Sequence, residues 1–129
     1  MGLIEELHGQ HREIRMHLKK IVVNKEDNVL EHHFKELKTV LISHLINEDN
    51  HLYPALRNLE TTKLISDSFE DEMGEISSEV MNFYTRYQSS ENNESFKDDA
   101  YLIIEKLIYR IAKEERELYP LFKKYFPNK

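Results

Sequence analysis

The stretch LISHLINEDNHLYPAL, residues 41–56, decides how this chain folds. Leu41 and Leu52 fall on one face of a helix, because side chains three and four positions apart project in the same direction. His44 and Glu48 lie between them on that face, where a helix that packs against a core normally carries apolar residues. Burying such polar groups costs free energy unless they find partners. The two residues therefore predict a buried polar site.

Stripes with the same helical spacing occur in three further segments and predict three more helices. The four stripes are Leu3, Leu7, His11, Ile14, Leu18 and Ile21; Leu30, Phe34, Leu37, Leu41, His44, Glu48, Leu52 and Ala55; Ile65, Phe69, Met73, Ile76, Val80, Phe83 and Tyr87; and Ala100, Ile103, Leu107, Arg110, Glu114, Leu118 and Leu121. Polar segments at 24–28 and 89–95 predict two of the connections. We expect Pro54 to kink the second helix in its last turns.

These helices predict an all-α fold, an up-down-up-down antiparallel four-helix bundle that forms a single domain over residues 1–129. Two helix hairpins build it, at about 2–57 and 63–126. A longer coiled-coil oligomer is the alternative, and it is disfavoured because each stripe stops at a loop.

The second hairpin repeats the pattern of the first. Residues 44–56 (HLINEDNHLYPAL) align with residues 110–122 (RIAKEERELYPLF), and the alignment pairs His44 with Arg110, Glu48 with Glu114, Tyr53 with Tyr119, and Pro54 with Pro120. The first and third helices align in the same way, with His11 on Met73. Such internal symmetry predicts that equivalent positions face each other around the bundle axis.

The composition excludes several classes of function and partner. Acidic residues outnumber basic ones by 24 to 18, and no run of like charges predicts contact with nucleic acid or a membrane surface. No apolar run approaches the ~20 residues that span a bilayer, and the N-terminus does not resemble a signal peptide. Cysteine is absent, so a metal must use nitrogen and oxygen ligands. We expect a soluble cytoplasmic protein.

Four polar residues lie at comparable depth on the stripes: His11, His44, Glu48 and Glu114. Two imidazoles and two carboxylates that converge in a cysteine-free bundle are a ligand set suited to Fe, Mn or Zn. The alternative is a buried hydrogen-bonded network of the same side chains without a metal.

The segments HGQHREI and HLINEDNHLYP resemble the hemerythrin-like domain, also called the HHE cation-binding domain. In that family each hairpin supplies a histidine from its first helix and a His-x-x-x-Glu motif from its second, and the glutamates bridge two irons that bind O2 or related small molecules. The resemblance covers the whole chain. It implies that His11, His44 and Glu48 form the first triad, with Glu114 as the carboxylate of the second.

The second half departs from the pattern of the family. Met73 stands where the family has a histidine on the third helix, and Arg110 stands where the second His-x-x-x-Glu motif begins. The second metal has therefore lost its nitrogen ligands. We predict at most one metal per chain, iron with Mn or Zn as alternatives. We also predict that the guanidinium of Arg110 neutralises Glu48 or Glu114 in place of the second metal.

Other side chains are weaker candidates for the site. His51 and Glu72 are candidate substitute ligands or residues that orient the ligands. The remaining histidines are expected at the surface or boundary of the bundle, and the tyrosines of the two LYP segments are expected to cap it; these residues are His8, His17, His32, His33, Tyr53 and Tyr119.

Together, the residues and the resemblance predict a metal-binding protein with a role in sensing or storing iron, O2 or NO. The alternative is a metal-free regulatory or interaction bundle in which Arg110 replaces the second metal. The sequence contains no nucleophile–base arrangement and no phosphate-binding loop, so no catalytic residue is predicted. It does not identify a protein partner.

Overall fold

A computed structural model describes the backbone of residues 2–23, 27–87 and 94–129, with side chains for 2–21, 32–87 and 98–129. These ranges contain four long helices and no strand. Helix α1 is Leu3–Val23; α2 comprises Asp27–Asn47, a π-helical turn Glu48–Leu52 and Tyr53–Arg57; α3 is Glu60–Arg86; α4 comprises Glu94–Lys113, a π-helical turn Glu114–Leu118 and Tyr119–Tyr125. The predicted all-α bundle is confirmed. The connections predicted at 24–28 and 89–95 fall largely outside the described residues.

Two apolar clusters fill the interior, and a polar layer separates them along the helices. On α1, Leu7 belongs to one cluster and Ile14 to the other, and the buried His11 lies between them. On α2, His44 and Glu48 lie between the two clusters in the same way. Burial of each large apolar side chain contributes roughly 1.5–3 kcal/mol, which offsets the cost of desolvating the polar layer.

Each of the helices α2 and α4 contains one π-helical turn, and each turn begins at a glutamate of the predicted site. The N–H of Tyr53 donates to the carbonyl oxygen of Glu48, and the N–H of Tyr119 donates to that of Glu114. A proline follows each tyrosine and has no N–H, so regular α-helical pairing cannot continue through it. The kink predicted at Pro54 therefore takes the form of a π turn just before the proline.

The π turns change which residues are buried after them. Ala55 and Leu121, which the stripes place in the core, are only half-buried, and Leu56 and Phe122 are buried instead. Because a π turn accommodates one residue more than an α-helical turn, the inward face shifts by one position. A prediction that assumes a constant helical period cannot detect this shift.

The first two turns of α3 also differ from the predicted stripe. Ile65 is 43% exposed, whereas Thr62 and Ser66 are buried. Thr62 Oγ1 donates to the carbonyl oxygen of Leu56 at 2.5 Å, and Ser66 Oγ donates to another carbonyl of α2. Small hydroxyl side chains of α3 therefore pack against the last turns of α2 and donate to its carbonyl oxygens. No helix in the described ranges combines the length and apolarity needed to cross a membrane.

Candidate metal centre

Four polar side chains from three helices meet in the polar layer. His11 of α1, His44 and Glu48 of α2, and Glu114 of α4 are all buried. His11 Nε2 lies 3.1 Å from His44 Nε2 and 3.0 Å from Glu114 Oε1. His44 Nε2 lies 3.3 Å from Glu48 Oε1 and 3.6 Å from Glu114 Oε1. The structure thus brings together the four residues that the sequence predicts as ligands.

The spacing of these atoms fits a metal site. Ligand atoms bound about 2.1 Å from one ion lie roughly 3.0–3.4 Å from their neighbours in tetrahedral or octahedral arrangements, close to the separations observed here. Glu48 Oε1 is also buried without a hydrogen-bond partner among the described residues. Buried acceptors of this kind are costly unless a cation satisfies them. The residues present therefore fit Fe, Mn or Zn.

The Nδ1 atom of each of the two imidazoles, His11 and His44, already has a hydrogen-bond partner. His11 Nδ1 lies 2.7 Å from Glu115 Oε2, and His44 Nδ1 lies 2.9 Å from Gln10 Oε1. Both partners are acceptors, so each Nδ1 carries a proton and donates it. In a neutral ring the lone pair is then on Nε2. Two lone pairs that face each other repel, so a positive charge, either a proton or a metal ion, must lie between the rings.

Glu115 holds the orientation of His11 from outside the site. Arg15 donates two hydrogen bonds of 2.9 Å to the Glu115 carboxylate. Partial burial raises the pKa of Glu115, but hydrogen bonds from Arg15 and His11 outweigh it and lower that pKa below its usual value. The carboxylate is therefore ionised and accepts from His11, as carboxylates beside metal-binding histidines do. Sequence reasoning missed Glu115 and Gln10, and the only signal was their adjacency to predicted ligands.

The electrostatics of the layer require a cation. Burial lowers the pKa of His44, but Glu48 and Glu114 outweigh burial and raise it to about 10. Burial and repulsion from Glu114 raise the pKa of Glu48 above its usual range. Burial also raises the pKa of Glu114, but hydrogen bonds from His11 and His44 lower it below that range. Without a metal, His44 therefore keeps a proton at neutral pH, and a metal ion must displace it.

Tyr119 lies inside the site, and the expectation that it caps the bundle is wrong. Its hydroxyl oxygen lies 3.0 Å from His11 Nε2 and 3.1 Å from Glu48 Oε2. Burial and the nearby charges of Glu114 and Glu48 raise the pKa of Tyr119, so the hydroxyl keeps its proton and donates it to Glu48. The repeated LYP segments were a signal for this role, because they place a tyrosine five positions after each glutamate.

Arg110 occupies the position that corresponds to His44 in the repeat. Arg110 Nε lies 3.4 Å from Glu114 Oε2, and this pair mirrors the 3.3 Å contact between His44 Nε2 and Glu48 Oε1. Both pairs have i, i+4 spacing on their helices. In the second hairpin a fixed positive charge therefore lies where the first hairpin has an imidazole.

Further contacts hold the guanidinium of Arg110 in place. Its Nη2 donates to the Phe69 carbonyl oxygen at 2.6 Å and to the Tyr53 hydroxyl at 3.2 Å. Its Nη1 lies 3.4 Å from Glu72 Oε1, and its Cζ lies over the Phe69 ring, 4.6 Å from the ring centroid. Arg110 is fully buried, so these contacts replace water around a permanent charge.

The remaining predicted residues lie in different environments. Met73 is part of the larger apolar cluster, where its thioether offers no charged ligand atom. Glu72 is one-third exposed and pairs with Lys113 Nζ at 3.0 Å as well as with Arg110, so its carboxylate balances cations. His51 is exposed, although Leu52 beside it is buried. The structure therefore does not bring His51 to the centre.

A protein-family model matches this chain. The model described as "Hemerythrin HHE cation binding domain" matches residues 2–122, nearly the whole chain. No curated protein and no solved structure gives a significant match.

Proposed function

This chain belongs to the hemerythrin HHE cation-binding domain family, and we propose that it binds one non-haem metal ion at His11, His44, Glu48 and Glu114. Iron is the first candidate, with Mn and Zn as alternatives. The proposed role is the sensing or storage of iron, or of O2 or NO bound at that iron. Cation binding is the property that the family implies, and the metal, its number and its role are our proposal.

One observation carries this proposal. The Nε2 atoms of His11 and His44 face each other at 3.1 Å, while both Nδ1 atoms are committed to the acceptors Glu115 and Gln10. The arrangement leaves two inward lone pairs and the carboxylate of Glu114 directed at one point. A divalent cation can bind both nitrogen lone pairs and the Glu114 carboxylate at once. A single proton can be shared by only two of these three groups.

The charge of the layer supports a single ion. Two carboxylates, Glu48 and Glu114, and one guanidinium, Arg110, leave one negative charge when both imidazoles are neutral. One divalent ion leaves a single net positive charge, whereas two would leave three uncompensated positive charges in a buried layer. Arg110 also occupies the side of Glu114 opposite to His11, with its Nε 3.4 Å from Oε2. A second ion therefore lacks both ligands and space.

The residues around the ligands define what reaches the ion. Iron bound here would supply the reversible binding of O2 or NO. The chain itself excludes bulk water, because apolar clusters close the layer on both sides. Tyr119 places the only hydroxyl donor described within 3.1 Å of both a ligand histidine and a ligand carboxylate, and so it orients Glu48.

The test is the iron content of protein purified without chelator, measured by elemental analysis and by visible absorption. We expect about one iron per chain in the wild type and background iron in His44→Ala, which removes one of the two inward imidazoles. His51→Ala is the matched control, because it removes an exposed histidine of the same helix and should leave iron unchanged. Wild-type protein without iron, manganese or zinc at these four residues, or with two irons per chain, would overturn the proposal.

The second candidate is a metal-free regulatory or interaction bundle. It is favoured by the raised pKa of His44, about 10, which means that a proton alone can supply the charge between the rings. Under this alternative, added Fe(II), Mn(II) and Zn(II) change the melting temperature of the wild type and of His44→Ala equally. Under the metal proposal, an ion that binds at the centre of the folded state raises the melting temperature of the wild type more, by mass action.

A further inference from the structure

A second group of potential ligands lies away from the centre, near the ends of α1 and α2 that their connection joins. One nitrogen of His17, one of His33 and one carboxylate oxygen of Glu36 lie within 4.8 Å of one another. His17 comes from α1, and the other two come from α2. His17 lies six positions after His11, which corresponds to about 9 Å along the helix. These three residues, here called the His17 cluster, are therefore separate from the centre.

Two nitrogens in this cluster have no hydrogen-bond partner among the described side chains. His17 is 6% exposed, although the sequence placed it at the surface or boundary. Its Nδ1 and the Nδ1 of His33 are both buried and make no hydrogen bond within the described part of the chain. Among the described side chains, the carboxylate oxygen that pairs with His17 Nδ1 is Glu36 Oε2 at 3.7 Å, which is too long for a hydrogen bond. Native structures seldom leave such groups unsatisfied without a functional reason.

Neighbouring side chains orient Glu36 and keep His33 neutral, and both effects favour the binding of a cation. His32 Nε2 lies 3.0 Å from Glu36 Oε1, which leaves Glu36 Oε2 directed at His17. Desolvation, with help from Lys20 and His17, lowers the pKa of His33. Its ring is therefore neutral at neutral pH, which is the form that binds metals. The positive charge of Lys20 disfavours the binding of a cation, but the negative charge of the Glu36 carboxylate compensates for it.

We propose that His17, His33 and Glu36 form a second divalent-metal site, of the kind that takes Zn²⁺. Two imidazoles and one carboxylate are a known set of three protein ligands for zinc, which leaves a further position for water. The separation of up to 4.8 Å exceeds the roughly 3.0–3.4 Å expected around a bound ion. Small rotations of His33 and Glu36 close the gap, because these two side chains are not fully buried.

This site has a consequence for the centre. His17 shares α1 with His11, and His33 and Glu36 share α2 with His44. An ion in the His17 cluster therefore ties together the two helices that supply both imidazoles of the centre. The prediction of one metal per chain then applies to the centre alone, and zinc is a second ion with its own ligands.

The test is a titration of metal-free protein with Zn²⁺ against a chromophoric chelator. The wild type should show a zinc site that His33→Ala weakens by at least about tenfold, the scale of losing even a supporting group at a metal site. Glu36→Gln, which keeps the shape of the side chain, should weaken it similarly. His33 and Glu36 are partly exposed, so both variants should fold, and circular dichroism without metal verifies this.

Two further variants separate this site from the centre. His51→Ala should leave the zinc affinity unchanged, since it removes an exposed histidine outside both groups. His44→Ala should abolish metal binding at the centre and retain the His33-dependent zinc site. If His33→Ala and Glu36→Gln bind as many zinc ions as the wild type with equal affinity, the inference is wrong. A His33-dependent zinc site in a protein whose centre binds no metal would support the inference and refute the proposed function alone.

Discussion

The Nε2 atoms of His11 and His44 lie 3.1 Å apart in the middle of the bundle, and the opposite nitrogen of each ring is already hydrogen-bonded. Because of this arrangement, the polar layer binds a positive charge. The charge is a proton in the metal-free protein and a metal ion in the proposed holoprotein. Competition between the two has measurable consequences for stability.

The first prediction concerns the pH dependence of the metal-free protein. The pKa of His44 rises from its ordinary 6.5 to about 10 in the fold, so the folded state holds a proton that the unfolded chain releases. This contribution is complete below pH 6.5 and is lost as the pH rises through 10. The raised pKa of Glu48 acts in the same direction. Stability should therefore fall between pH 6.5 and 8.5, on the order of 1 kcal/mol per pH unit.

The measurement is chemical unfolding in the presence of a chelator at several pH values. His44→Gln should reduce the pH dependence to the part that Glu48 contributes, because one of the two groups that gain a proton is gone. Saturating Zn²⁺ should reverse its sign, because a rising pH removes the proton that competes with the ion. A chelated wild-type protein that gains stability from pH 6.5 to 8.5 would contradict the protonated His44.

The second prediction concerns Tyr119. Replacing it with phenylalanine leaves Glu48 Oε2 without the hydroxyl that lies 3.1 Å away, and an unsatisfied buried acceptor costs about 1–3 kcal/mol. Urea unfolding of the metal-free protein measures this loss. Tyr109→Phe is the matched control, since Tyr109 is 60% exposed and its change should stay within about 0.5 kcal/mol. Equal effects of the two substitutions would exclude Tyr119 from the site.

The third prediction concerns the fixed charge of the layer. Arg110→Met keeps much of the volume and removes the cation beside Glu114, so we expect a loss of about 3–5 kcal/mol, as for one partner of a buried ion pair. Arg86→Met is the control, because Arg86 forms an exposed pair with Asp99 and should cost at most about 1 kcal/mol. Equilibrium unfolding compares them, and a neutral Arg110→Met would show that Glu114 does not depend on this charge.

The fourth prediction tests whether Arg110 and Met73 limit the centre to one ion. The double substitution Met73→His with Arg110→His returns imidazoles to both positions of the second hairpin, and we expect iron to rise from about one to about two per chain. Met73→His alone should stay at one, because the guanidinium still faces Glu114. Elemental analysis gives the count. A double variant that folds and holds one iron would mean that the second position is closed for another reason.

The contacts that can be predicted from the sequence are those between residues that lie close together along the chain. The contact between His44 and Glu48 is set by i, i+4 spacing within one helix, so it could be predicted, as could its counterpart between Arg110 and Glu114. The inward position of His11 follows from its place between Leu7 and Ile14. Helical periodicity is sufficient for these positions because it depends only on neighbours along the chain.

Contacts between distant segments could not be predicted in this way. The bond from His11 to Glu115 joins residues 104 positions apart, and it depends on the rotation and axial offset of α1 against α4. The inward turn of Tyr119 depends on the π turn before Pro120, which shifts the buried face by one position. A regular helical period places neither residue in the site.

The sequence by itself determined four helices, a duplicated hairpin and a set of polar residues that had to be buried, because each of these follows from spacing and side-chain chemistry. Only the tertiary structure decided which atoms of those residues meet. It directed both Nε2 atoms inward by giving each Nδ1 an acceptor, and it brought Tyr119 to Glu48. It also gathered His17, His33 and Glu36 from two helices. The physical reason is that helix formation depends on local spacing, whereas ligand geometry depends on how whole helices pack.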